Sequence, residues 1–276
     1  MKILSISVLL SFLLLSCQKP VVDTETTTST DNSLVIQEFL QIIPTICERS
    51  ANKKGLVNLY NAALPLPTGC LVDSISGDTT HDGSGNYTNP DTTKLPVLWL
   101  QFANCTGADG KWRNGTISVK FHQMFTNSNS DFAISLQNYI VQGVSFQGSL
   151  ALKRISGNQF TLGINNGICN TGTANIQCTL QYTVTLNNNG TPTLISDDQA
   201  TGNGTTSGLN REGRKYTCQS STPLLKPANC GWITGGQMSV SPAALHSRTL
   251  DFGNNNCDDL ATMLLNQQTF TLHLPK

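Results

Sequence analysis

Apolar and polar residues alternate over most of the chain beyond Cys70. Clear examples are the segments 117–121, 180–186 and 270–274. This period of two predicts strands that bury one face, because successive side chains of a strand point to opposite sides of the sheet. Short breaks such as Gly157-Asn158 and Asn266-Gln267 separate the strands, which is typical of antiparallel hairpins.

About a dozen strand candidates lie between residues 71 and 274. The sequence therefore predicts an all-β fold with a predominantly antiparallel sheet. Two arrangements satisfy this pattern, a sandwich of two sheets or a single curled meander.

A helical period precedes the strands. Apolar residues recur at three- and four-residue intervals between Val35 and Ile43, and Asn32 or Ser33 is available as an N-cap. Pro44 is expected to stop or kink this segment. We therefore expect a short amphipathic helix that packs on the domain.

The first seventeen residues form a different kind of segment. Lys2 is followed by an apolar and serine run, 3–15, which is too short to span a bilayer but suits a signal peptide. Its end, 14–17, resembles the bacterial lipobox, in the looser form found in spirochaetes, and the alternative is an ordinary secretory leader. The resemblance implies that the thiol of Cys17 receives a diacylglycerol, with acyl chains such as palmitate.

These boundaries predict three parts: a lipoprotein signal peptide over 1–16, the lipidated cysteine with a disordered tether over 17–33, and one β-rich domain over 34–276. The tether is rich in Thr and lacks hydrophobic periodicity. Gln18 replaces the Asp that retains many lipoproteins in the inner membrane. By resemblance this favours the outer membrane, with exposure at the cell surface as one orientation.

The amino-acid composition limits the classes of partner that the chain can bind. Charged residues make up 12% of the chain and the net charge is zero, against about 25% charged residues in an average soluble protein. No basic stripe is available to neutralise phosphates, so we expect no nucleic-acid partner. The expected contacts are the membrane, through the lipid anchor, and a host or envelope ligand.

Nine cysteines are an odd number for an exported chain. If Cys17 carries lipid, eight remain for a disulfide framework, which such a compartment favours over metal ligation. An internal repeat suggests their pairing, because residues 98–105 resemble 248–257 and each copy follows an earlier cysteine. The repeat predicts the bonds Cys70–Cys105 and Cys230–Cys257, a small loop closed by Cys169–Cys178, and the remaining pair Cys47–Cys218.

Two motifs carry a family resemblance. One is Leu250-Asp251-Phe252-Gly253 with Cys257-Asp258 and Ala261-Thr262, and the other is the segment 109–117. Both resemble predicted β-rich lipoproteins of spirochaetes and Bacteroidetes, over roughly residues 97–276. These proteins lack an assigned biochemical role, so the resemblance implies architecture and no activity.

Candidate chemistry is sparse. Trp112, between Lys111 and Arg113 near a predicted turn, is the candidate for surface recognition. The oxygen-rich segments 254–259 and 78–86 are candidates for Ca²⁺, although Asn and Asp also serve turns. No nucleophile with a base, and no other cofactor than the lipid on Cys17, is indicated by the sequence, and any further metal is left open.

The sequence therefore predicts a lipid-anchored envelope or surface protein that acts as a non-enzymatic binding or structural module. Two alternatives stay open. An envelope hydrolase would bring two carboxylates, or a nucleophile and a base, together in one groove. A carrier of lipid or another apolar ligand would have a continuous apolar cavity between the sheet and the helix.

Overall fold

The structure is a computed structural model that describes residues 23–51, 71–78, 80, 82–84, 88–89, 91–124, 127–187 and 197–276, with the side chains of the helix described as far as Ile46. The signal peptide 1–16, Cys17 and Cys70 lie outside these residues, as does the side chain of Cys47.

Thirteen strands occur within the described residues, and they form one antiparallel sheet in chain order. Each strand from the second to the twelfth pairs with the strand before it and the strand after it, so the sheet is a meander. This confirms the all-β antiparallel prediction and selects the meander over the sandwich. A 3₁₀ turn at Thr92–Lys94 precedes the second strand. The strands are β1 (Leu71–Ser76), β2 (Val97–Thr106), β3 (Trp112–Phe121), β4 (Asp131–Val141), β5 (Val144–Ser156), β6 (Gln159–Asn170), β7 (Asn175–Asn187), β8 (Gln199–Leu209), β9 (Lys215–Pro227), β10 (Gly235–Pro242), β11 (Arg248–Asn254), β12 (Leu260–Leu265) and β13 (Gln268–His273).

Burial follows the predicted alternation. In β7 every second residue from Ile176 to Leu186 is buried, and the residues between them are exposed or half-buried. One face of the sheet therefore carries the apolar side chains, and the opposite face carries mainly Thr, Ser, Asn and Gln.

The helix α1 (Thr27–Ala51) is much longer than the short helix that was predicted. It begins inside the segment 17–33, so the prediction that this whole segment is a disordered tether was wrong. The Glu25 carboxylate accepts the backbone N–H of Thr28 at 2.6 Å and thus caps the first turn. Asn32 and Ser33 are helix-interior residues and not caps.

Pro44 does not end the helix. A proline there leaves the carbonyl four residues earlier without its N–H partner, which normally weakens a helix. Ile42, Ile43 and Ile46 around it are fully buried, and the Thr45 hydroxyl donates to the Gln41 carbonyl at 2.9 Å. Tertiary packing on both sides of the proline therefore holds the helix together across it.

The helix is buried on all sides and not on one face as an amphipathic helix would be. Its polar residues Ser29, Asn32, Gln37 and Glu38 are as inaccessible as its apolar ones. Strands from both halves of the sheet contact it. The contacts include Phe39 with Phe146 on β5, Asn32 with Met238 on β10 and Ser29 with Met263 on β12. The sheet must therefore curl around the helix.

Glycine makes room for the helix on β8. A Cβ atom added to Gly202 would lie 2.8 Å from Leu40 Cδ2 and 3.3 Å from a ring carbon of Tyr182. The close approach of Leu40 to this strand therefore requires a residue without a side chain.

Candidate functional site

Polar and charged groups gather at two places where α1 meets the sheet. The first is the Arg113 network, which consists of Glu38 on the helix, Asp109 in the β2–β3 turn, Arg113 on β3 and Tyr139 on β4. All four residues are at most 6% exposed. Burial of this many polar groups is stable only if they satisfy one another.

The guanidinium of Arg113 satisfies both carboxylates. Its Nη1 and Nη2 donate to the two oxygens of Asp109, each at 2.8 Å, and Nη2 also donates to Glu38 at 2.9 Å. The Tyr139 hydroxyl donates to the other Glu38 oxygen at 2.6 Å. The pair with Asp109 is a two-pronged contact, which is the strongest geometry available to arginine.

The pKa values respond to these contacts. Burial alone would raise the pKa of Asp109, but the hydrogen bonds and charge of Arg113 outweigh burial and lower it. Burial, followed by the charge of Glu38, raises the pKa of Tyr139 well above its usual value. Tyr139 therefore acts as a permanent hydrogen-bond donor. Both carboxylates are ion-paired with the guanidinium. The network therefore links the helix to the sheet and does not form an acid–base pair.

Two buried lysines adjoin this network. Lys226, on β9, donates to Gln41 Oε1 at 2.6 Å, to the Pro227 carbonyl at 3.1 Å and to the Cys230 carbonyl. Burial lowers the pKa of Lys226 to about 7, although the charge of Asp109 opposes this shift. Burial also lowers the pKa of Lys111. The helix is thus bound to β9 through Gln41 and to β3 through Glu38.

The second gathering of charges lies at the start of α1. Arg248, on β11, is buried and donates to Asp23 Oδ2 and Glu25 Oε2, each at 3.0 Å. Asp31 accepts from the backbone N–H of Arg211 at 2.8 Å and from its Nε at 2.7 Å. These pairs fix the N-terminal end of the helix to the β8–β9 and β10–β11 turns.

The surface-recognition prediction is wrong for two of its three residues. Lys111 is 1% exposed and Arg113 is 4% exposed, so neither offers its charge to a partner. Trp112 lies between them, half-buried at the start of β3. Arg113 lies on the same strand as the buried Ile117 and Val119, an even number of residues before each. The period of two therefore places its side chain on the buried face of the sheet.

The second copy of the disulfide repeat is confirmed. Cys230 and Cys257 are bonded, with 5.7 Å between their Cα atoms. Cys105 is also in a disulfide; its predicted partner, Cys70, lies outside the described residues. In the second copy the bond joins the β9–β10 loop to the β11–β12 loop.

The predicted Cys169–Cys178 bond is wrong, since the structure shows both thiols free and buried. Cys169 lies opposite Ile176 in the sheet, and Cys178 lies opposite Gly167. The two cysteines are therefore diagonal neighbours, which are farther apart than a directly opposed pair. A hydrogen bond between the two thiols, together with burial, raises the pKa of Cys169 well above its usual value.

Cys218 is likewise free and buried, so the predicted Cys47–Cys218 bond is also wrong. The prediction came from elimination, and elimination assumed that every cysteine outside the anchor is oxidised. Burial raises the pKa of the Cys218 thiol, which leaves it a poor nucleophile in the folded protein.

The oxygen-rich loops hold themselves together through backbone contacts. Asp258 accepts from the N–H of Leu260 at 3.0 Å, and Asp82 accepts from the N–H of Ser84 at 2.9 Å. These are ordinary Asx turns. Among the residues that the structure describes, no three His, Cys, Asp or Glu side chains are grouped as a metal would require.

The outer face of β7–β10 carries shallow depressions that are lined mostly by uncharged side chains. Two adjoining concavities of about 380 and 650 Å³ share Ser207, Thr217 and Ser241. These three residues lie side by side on neighbouring strands, in register. We call this surface the outer groove. It offers hydroxyl and amide groups in rows to whatever lies against it, with Lys215 at one end.

Sequence analysis missed Glu38, Gln41, Asp109, Tyr139 and Lys226. A signal existed for Lys226, which follows Leu224 by two residues and therefore shares its buried face. Asp109 lies in a turn, where sequence gives no direction for the side chain. Glu38 was hidden because the helix was expected to expose one face.

Comparison with known proteins adds no relative. The chain matches no family model, no curated protein and no solved structure. Within the described part of the chain, no helix combines the length and the apolar character needed to cross a membrane.

Proposed function

We propose that the protein is a lipid-anchored bacterial envelope protein, held by Cys17 in the outer membrane, whose curled sheet is a non-enzymatic binding or structural module. The observation that carries the proposal is that α1 fills the space inside the sheet. Val35, Ile36 and Phe39 are fully buried there, so contact with a partner falls to the outer face.

The polar groups at the helix favour a scaffold over a hydrolase. Glu38 and Asp109 do converge, but they converge on Arg113, in a place that substrate does not reach. The packed helix likewise favours a scaffold over a carrier, since apolar helix side chains occupy the interior.

The smaller concavity of the outer groove, which is lined by Thr205, Gln219 and Ser239, is the surface that we assign to a host or envelope ligand. Its side chains are short and almost uncharged, so they suit a partner that presents hydroxyl, amide or main-chain groups. The protein would recognise such a partner by many weak hydrogen bonds over an extended area.

The anchor is tested by expressing the full chain in a bacterium that acylates lipoproteins. The native chain should enter the detergent phase and gain the fixed mass of the lipid, whereas Cys17→Ala should do neither. A mature protein that begins at another residue would overturn the anchor.

The groove is tested with the acylated full chain against purified peptidoglycan, lipopolysaccharide and host matrix proteins. Ser239→Lys places a long charged side chain inside the smaller concavity, and Thr183→Lys places the same side chain on the outer face of β7 outside it. We expect the first variant alone to lose at least about tenfold in affinity, about 1.4 kcal/mol. Equal binding by both variants would contradict the assignment of the groove.

A further inference from the structure

The contacts at the start of α1 identify the end of the domain from which the anchor leaves. Asp23 accepts from the backbone N–H of His246 at 3.1 Å and from Arg248. Thr27 donates to Glu212 at 2.9 Å. The chain therefore enters the domain between the β8–β9 turn, 210–214, and the β10–β11 turn, 243–247. We call this part the anchor end.

The distance from the anchor to this end is short. Five residues, 18–22, separate Cys17 from Asp23. Even a fully extended chain spans no more than about 3.3 to 3.6 Å per residue, so six steps reach roughly 20 Å. If Cys17 is acylated, the anchor end must lie close to the lipid headgroups.

The anchor end carries exposed basic side chains on both turns. Arg211 and Lys215 flank the β8–β9 turn, and both are exposed. Arg214 donates to the Ala243 carbonyl at 3.1 Å, which brings its charge against the β10–β11 turn. The His246 side chain is 67% exposed on that turn. Four acidic residues lie at this end: Glu212 is exposed and accepts from Thr27. The side chains of Asp23, Glu25 and Asp31 are at most 12% exposed and are paired with Arg248 and Arg211.

A concavity opens beside these charges. The larger of the two concavities of the outer groove, about 650 Å³, extends to the anchor end and is lined by Leu209, Lys215 and Ala243. It thus joins an apolar wall to a lysine ammonium. An anionic phospholipid has the matching chemistry, with a phosphate next to glycerol and acyl groups.

We propose that the anchor end docks on anionic phospholipid of the bilayer that holds the anchor, with a lipid phosphate at Arg214 and Lys215 and its glycerol region against Leu209 and Ala243. This rests on the proposed acylation of Cys17. Docking would orient the domain, so that the Cys230–Cys257 disulfide and the loops that it joins face away from the membrane.

The test measures how readily lysines react with an amine-acylating reagent in the acylated full chain. The chain is placed in vesicles of phosphatidylcholine alone, or of phosphatidylcholine with phosphatidylglycerol, and each lysine is quantified by mass spectrometry. Lys153 is a built-in control because it lies far from the anchor end. Phe146, which precedes it on β5, already packs on Phe39, about three helical turns from Thr27.

We expect phosphatidylglycerol to reduce the reactivity of Lys215 at least about threefold, because each basic residue near an anionic surface adds to its attraction. Lys153 should be unchanged, and about 1 M salt should restore Lys215. Equal reactivity of Lys215 in both vesicles would overturn docking while leaving the anchor intact.

A second arm separates docking from acylation. Cys17→Ser full chain, which carries no lipid, is sedimented with phosphatidylglycerol vesicles, alone or with Arg214→Gln and Lys215→Gln. We expect the two added substitutions to reduce the bound fraction several-fold, whereas Lys94→Gln with Lys153→Gln should not. If both pairs bind equally, the docking surface is wrong, whatever the state of Cys17.

Discussion

At the scale of single residues, the charged side chains inside the sheet are organised around Arg113. Two carboxylates depend on one guanidinium, since Glu38 and Asp109 both bind it at 2.8 to 2.9 Å. Removal of one partner from a buried ion pair costs more than the pair contributes, because the other charge stays behind without solvent.

Arg113→Met should therefore lower the free energy of unfolding by about 3 to 5 kcal/mol. The control is Lys153→Met, which removes a cation from an exposed position and should change stability by less than about 0.5 kcal/mol. Urea unfolding followed by circular dichroism measures both. A loss below about 1 kcal/mol in Arg113→Met would mean that the carboxylates find other partners.

Lys226 should make stability depend on pH. Burial lowers its pKa from 10.5 to about 7, so between these values the unfolded chain holds a proton that the folded chain does not. The free energy of unfolding therefore rises with pH in this range, by up to about 1.4 kcal/mol per unit.

The measurement compares the native chain with Lys226→Met between about pH 6.5 and 8.5. Other groups titrate equally in both proteins, so the stability difference between them isolates Lys226. It should shift in favour of the native chain as pH rises above 7. A stability difference that does not change with pH for Lys226→Met would show that the charge of Lys226 is kept in the folded protein.

At the scale of elements, local sequence predicted the strands well and the helix poorly. The strands can be predicted from local sequence because each has a buried and an exposed face. The start of α1, Thr27 to Ser33, has no apolar period, and it is helical because Glu25 caps it and Arg248 and Arg211 fix the segment to the sheet. These partners are about 180 to 220 residues away, and no local pattern reports them.

The contact between α1 and β8 can be tested by filling the space above Gly202. Gly202→Ala adds a methyl group 2.8 Å from Leu40 Cδ2, and such overpacking typically costs about 1 to 3 kcal/mol. Leu40→Ala alone should cost about 2 to 5 kcal/mol through the cavity it creates.

The double variant is the informative one. Because Leu40→Ala removes the atoms that the new methyl group would meet, we expect the double variant to be at least about 1 kcal/mol more stable than the sum of the single effects predicts. Asn203→Ala, on the outer face of the same strand, should not couple to Leu40→Ala. Additive effects at Gly202 and Leu40 would contradict the close packing of helix on strand.

At the scale of the whole molecule, the meander makes each strand depend on its neighbours and on the helix that they share. The repeat in the sequence correctly placed Cys230–Cys257, because that bond lies within one supersecondary unit. Cys169–Cys178 failed because it depended on register, and Cys47–Cys218 failed because it depended on complete oxidation. Cys70–Cys105 stays a prediction. Cys178 lies two residues along β7 from the residue that faces Cys169, and sequence does not give register at that precision.

The three buried thiols give a test of whether the fold opens as one unit. Cys169, Cys178 and Cys218 lie on β6, β7 and β9, and all three are free and buried. A thiol in this state reacts with an alkylating reagent only when the structure around it opens. If the curled sheet and α1 form a single cooperative unit, all three should be alkylated at about the same rate in the native protein, and urea should accelerate them equally.

Mass spectrometry of the peptides measures each rate, and Cys230 and Cys257 serve as the control because their disulfide blocks the reagent. Faster alkylation of Cys169 and Cys178 than of Cys218 would instead show that the β6–β7 hairpin opens while β9 stays on the helix, which would assign the stable core of the protein to the strands that Lys226 and Arg248 hold against α1.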